Sequence, residues 1–65
     1  MRPKLVADFG PPDAEARFEK WEAANAEALG AIPKDRWRVE YGRTGVGAYV
    51  RVRVDESHLA GLREI

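Results

Sequence analysis

The chain alternates apolar and polar residues with period two over residues 36–41 and 48–54, and more weakly over 4–9. Between residues 12 and 30 its apolar residues recur at the three-and-four spacing of a helix face. The weak stretch, with Leu5, Val6 and Phe9, reads as a short first strand. Gly10-Pro11-Pro12 ends it, because proline has no N–H to give to a ladder. Pro12 reads as the first helical residue, where a missing N–H costs nothing, and Asp13 and Glu15 suit the positive end of the helix dipole. Ala14, Phe18, Trp21, Ala24/Asn25, Ala28 and Leu29 make one apolar stripe, with Asp13 and Arg17 one turn apart. Gly30 closes this helix and Pro33 prevents its resumption.

The two clear alternations flank the glycine-rich segment Gly42-Arg43-Thr44-Gly45-Val46-Gly47 and predict a β-hairpin. One face carries Trp37, Val39, Tyr41, Ala48, Val50, Val52 and Val54 and is expected to meet the helix. The other carries Arg36, Arg38, Glu40, Tyr49, Arg51 and Arg53. Two registers keep these faces. A turn at Thr44-Gly45 sets Arg36 opposite Arg53 and Arg38 opposite Arg51, which is destabilising across a ladder. A turn at Gly45-Val46, with glycine first as a type II′ turn wants, sets Glu40 opposite Arg51 and Arg36 opposite Asp55; only Arg38 and Arg53 then oppose each other. Asp55-Glu56-Ser57 offers caps for a short last helix bearing Leu59, Leu62 and Ile65, weakened by Gly61. The expected fold is α+β, ordered β-α-β-β with that short helix last. It is a three-stranded, mainly antiparallel sheet with one main helix packed on one face, with strand order left open.

Sixty-five residues allow one domain spanning 1–65, whose single core supplies only about 3–5 kcal/mol. With no cysteine, disulfides and thiolate chemistry are excluded, so core packing or self-association must supply the stability. Trp21 and Trp37 are expected to face each other within that core. No apolar run approaches the roughly 20 residues of a membrane helix, and the N-terminus lacks the apolar stretch of a signal peptide; a cytoplasmic address is the default expectation.

The formal net charge is zero, which argues against binding nucleic acid by bulk charge. The charge is nevertheless segregated: residues 34–55 sum to +3 and residues 11–31 to −3. The basic share concentrates on the hairpin, so Arg36, Arg38, Arg43, Tyr49, Arg51 and Arg53 form the expected partner surface. Arginine and tyrosine on a half-exposed sheet match the composition of protein-binding hot spots, and sheet edges can pair with another chain. A basic two-stranded ribbon also fits a nucleic-acid groove, the alternative reading.

Catalytic groups are scarce. His58 is the lone histidine, and its neighbour Ser57 points elsewhere on a helix. Glu15, Glu19 and Glu22 are ordinary for an exposed helix face. Gly42-x-x-Gly45-x-Gly47 lacks the helix and Lys-Ser/Thr of a phosphate loop. The expectation is a non-catalytic protein-binding module: an inhibitor, adaptor or accessory protein, of a compactness that suits a phage or mobile element. It would act through the Arg/Tyr face or a sheet edge on a protein or a second copy, without cofactor, metal or membrane.

Overall fold

Val50, Val52 and Val54, every second residue of the last strand, are wholly buried, because that strand lies in the middle of the sheet. A computed structural model describes residues 2–62. Along the chain these form β1 (Pro3–Phe9), α1 (Ala14–Ala24), α2 (Ala26–Gly30), a 3-10 turn (Lys34–Arg36), β2 (Trp37–Thr44), β3 (Gly47–Asp55) and a second 3-10 turn (Glu56–His58). The sheet runs β1-β3-β2 and is antiparallel throughout. This is the expected α+β fold, with its main helix on one face.

Ala14, Phe18, Trp21, Leu29 and Ile32 close over the central valines. Phe9 meets Phe18 and Trp21 edge-on, with ring centroids 6.3 Å away in both cases, and Phe18 meets the Tyr41 ring at 6.2 Å. α1 packs chiefly on β3 and β1. It therefore covers β2 least: Trp21 is buried, whereas Trp37 is only half-buried at the margin of the core, not enclosed within it as expected.

The helical segment ends at Gly30 as expected but departs from its pattern at its start and in the middle. Pro12 lies outside the helix; Asp13 is the N-cap, with φ 63°, a left-handed conformation that Asp tolerates better than most residues. Pro11-Pro12 is a cis peptide. Arg17 does not pair with Asp13. Its guanidinium donates to the carbonyls of Gly10 and Pro12 and lies 6.0 Å from the Phe9 ring centroid, tying the helix start to the end of β1. At Asn25 the helix breaks into two. Asn25 sits on the buried stripe, and its Nδ2 donates to the Trp21 carbonyl at 2.9 Å, a local side-chain bond that competes with helical continuation.

The hairpin takes the Gly45-Val46 turn, with Thr44 opposite Gly47 and Glu40 opposite Arg51. The left-handed φ is not at Gly45, as a II′ turn requires, but at Gly47 (138°). Gly47 is needed there twice over, since a Cβ would also come within 2.8 Å of the Pro11 ring. On the other side of β3, the ladder with β1 shifts register between Leu5 and Ala7, a bulge that turns both Val6 and Ala7 toward the core. Among the described residues after β3 there is only the 3-10 turn, not the expected helix; Leu59 and Leu62 pack on the core, and Ile65 lies outside the described residues.

Candidate functional site

The outer face of the sheet holds Arg38, Glu40, Tyr49, Arg51 and Arg53, as the alternation requires. Its charges are engaged with one another. Glu40 stands opposite Arg51 in the ladder but takes the diagonal Arg53, whose Nε donates to Oε1 at 2.7 Å. Arg38 approaches the other Glu40 oxygen at only 3.9 Å and stays more than half exposed. The hydrogen bond from Arg53 holds the Glu40 carboxyl below its ordinary range, against partial burial that pushes the other way; the charges of Arg53, Arg38 and Arg51 add to the lowering. Arg51 turns instead toward Asp8 on β1, with Nε 3.5 Å from Oδ1. That contact is Coulombic only, because the geometry leaves the buried Nε–H without a hydrogen bond. The Tyr49 ring packs against the Arg51 guanidinium at 4.5 Å and lies across Gly42, its cross-strand partner, where any Cβ would collide with it.

Two residues of the expected partner surface are elsewhere. Arg36 belongs to the 3-10 turn before β2, so the Arg36–Asp55 pair does not form. Asp55 instead accepts the Ser57 hydroxyl at 3.0 Å and the Arg2 amide at 3.3 Å, which together lower its pKa despite burial. Arg43 stands opposite Ala48 and shares the parity of Trp37, Val39 and Tyr41, the helix side of the sheet.

The sheet has two free edges, and they differ. β1 carries a proline and the bulge, two devices that discourage pairing with another chain. β2 is eight residues long, in uninterrupted register with β3, without proline or bulge. In an antiparallel ladder alternate residues turn N–H and C=O to one side, so the outer side of β2 presents a row of unused backbone groups. Beside it the helix side is incompletely covered. Tyr41 is 63% exposed, and Trp37 forms one wall of an open groove of about 430 Å³ whose other apolar walls are Ala23, Ala26, Leu29 and Ile32. Glu19, Glu22 and Lys34 rim the groove. Sequence reasoning read Trp37 and Tyr41 as core and so missed this surface. Strand order decides it, and no local signal carried strand order.

Other candidates gather no chemistry. Ser57 gives its hydroxyl to Asp55 rather than to His58, and among the described residues no cluster of three His, Cys, Asp or Glu is placed to hold a metal ion. The space at two of the three glycines of Gly42-x-x-Gly45-x-Gly47 is taken by Tyr49 and Pro11, so the segment is a filled turn and not a cradle. No described helix is long and apolar enough to cross a membrane. Comparison with family models, curated proteins and solved structures finds no match to this chain.

Proposed function

We propose that this chain is a non-catalytic protein-binding module, an inhibitor, adaptor or accessory protein, that works through the open edge of β2 and the apolar strip beside it. The supporting observation is the asymmetry of the edges: β1 is guarded by proline and bulge, while β2 is long, regular and flanked by the exposed Tyr41 and the Trp37 groove. Strand addition uses such an edge for affinity and adjoining pockets for selectivity. The Arg/Tyr face favours this less, because Glu40, Asp8 and Tyr49 already engage Arg53 and Arg51. The same pairing weakens the nucleic-acid alternative, which wants those guanidinium groups free for phosphates and bases.

The test is a bait experiment with extract from the cells that make the protein, comparing wild type with Tyr41→Lys on the edge and Arg51→Glu on the outer face. A partner held by wild type and by Arg51→Glu but lost with Tyr41→Lys is the expected result. A partner lost only with Arg51→Glu moves the site to the outer face. A salt-sensitive shift of a labelled duplex or single strand, abolished by Arg38→Glu with Arg53→Glu, replaces the proposal with nucleic-acid binding.

A further inference from the structure

The β2 edge is complementary to itself in one register, and we infer that its occupant is a second copy of this chain. The inference rests on the edge reading above and names the partner. A two-fold axis perpendicular to the sheet joins two β2 strands antiparallel and keeps both helical layers on one side. Residues set opposite each other then share a face, so the axis passes through a residue and not between two. Only a few such registers exist, and charge separates them.

With the axis at Val39, Val39 meets its own counterpart and Trp37 meets Tyr41 of the second copy, twice by symmetry, on the helix side. On the outer side Arg38 meets Glu40 of the second copy, again twice. An axis at Arg38 or at Glu40 sets two like charges face to face, and an axis at Tyr41 sets Arg43 against Val39. The Val39 register thus pairs an aromatic with an aromatic and each charge with its opposite.

The free chain is prepared for this. Arg38 has only the 3.9 Å contact to Glu40 and stands opposite Arg53, so it lacks a close counter-charge of its own. Glu40 spends its short hydrogen bond on Arg53 through Oε1, leaving Oε2 with that single long contact and able to accept Arg38 of the second copy. Trp37 and Tyr41 are the β2 aromatic side chains on the helix side, Trp37 half-buried and Tyr41 largely exposed beyond its edge contact with Phe18. The product is a continuous six-stranded sheet, β1-β3-β2-β2-β3-β1, whose outer edges are the two guarded β1 strands.

Sedimentation of wild type from micromolar to about 1 mM should show a monomer–dimer equilibrium. Arg38→Glu and Glu40→Arg each place like charges in both symmetry-related pairs, and each should raise the dissociation constant about tenfold or more. Mixed in equal amounts, the two variants again pair opposite signs at both positions and should recover the dimer, a rescue that a general loss of folding would not produce. Val39→Cys is independent of Glu40's role in the fold. In a chain without cysteine it places one thiol on the axis, and air oxidation should give a covalent dimer, whereas Val46→Cys at the hairpin tip should stay monomeric. Wild type that remains monomeric at about 1 mM, or Val39→Cys that crosslinks no faster than Val46→Cys, overturns self-pairing. Neither result touches the edge reading, which fails if a retained partner is insensitive to Tyr41→Lys or if the chain binds nucleic acid through Arg38 and Arg53.

Discussion

Replacing Trp21 by alanine removes the largest buried side chain of the core. Trp21 is 3% exposed and its ring contacts Phe9 and Phe18 at 6.3 and 6.4 Å. A buried tryptophan withdraws about 150–250 Å² from water, which at about 25 cal/mol per Å² is roughly 4–6 kcal/mol as an upper bound. Alanine keeps the backbone and Cβ, and truncations of this kind cost about 3–5 kcal/mol. A domain this small holds only about that much stability, so Trp21→Ala should be substantially unfolded without denaturant. Trp37→Ala should cost only about 1–2 kcal/mol, because one side of that ring faces the open groove. The assay is urea unfolding followed by far-UV circular dichroism, at low micromolar concentration so that association does not contribute. Trp21→Ala within about 1 kcal/mol of wild type would show that the helix does not rest on this ring. Equal losses at the two positions would contradict the helix lying over β3 and β1 rather than β2.

The turn offers a sharper contrast: Gly47→Ala should cost about 1–3 kcal/mol, since φ is 138° and Pro11 blocks the Cβ, while Gly45→Ala, with open space and no left-handed φ, should be within about 0.5 kcal/mol of wild type by the same melts. Asn25→Asp turns the buried donor that faces the Trp21 carbonyl into an acceptor and should cost about 1–3 kcal/mol at neutral pH, less at low pH, where the protonated acid donates again. Glu40 and Asp55 both have pKa values lowered by folding, so their contribution is complete above their ordinary values of 4.5 and 3.8 and is lost as pH falls below them. The melting temperature should therefore drop on acidification through that range, and Glu40→Gln with Ser57→Ala should flatten the drop. An unchanged acid profile in that double variant would remove both carboxylates from the account.

Period-two alternation and the 3.6-residue stripe determined which residues of the hairpin and helix face inward, because side-chain direction follows directly from backbone period. They also placed Arg38, Glu40, Tyr49, Arg51 and Arg53 together on one face. Register was beyond them. The Thr44-Gly45 and Gly45-Val46 turns differ by two in the sum of paired residue numbers, which preserves every face, so the same alternation satisfies both. Packing against Pro11 at Gly47 and the seating of Tyr49 on Gly42 belong to the register that forms. Strand order was equally invisible locally. Nothing in residues 47–55 alone says that this strand is flanked on both sides, beyond the valines at inward positions 50, 52 and 54. Only the assembled sheet puts β3 in the centre, bulges β1, draws the helix over those two strands and leaves β2 open. The charges on the outer face were therefore legible in the chain, but which of them were already paired, and which edge was free, depended on contacts between residues far apart in sequence.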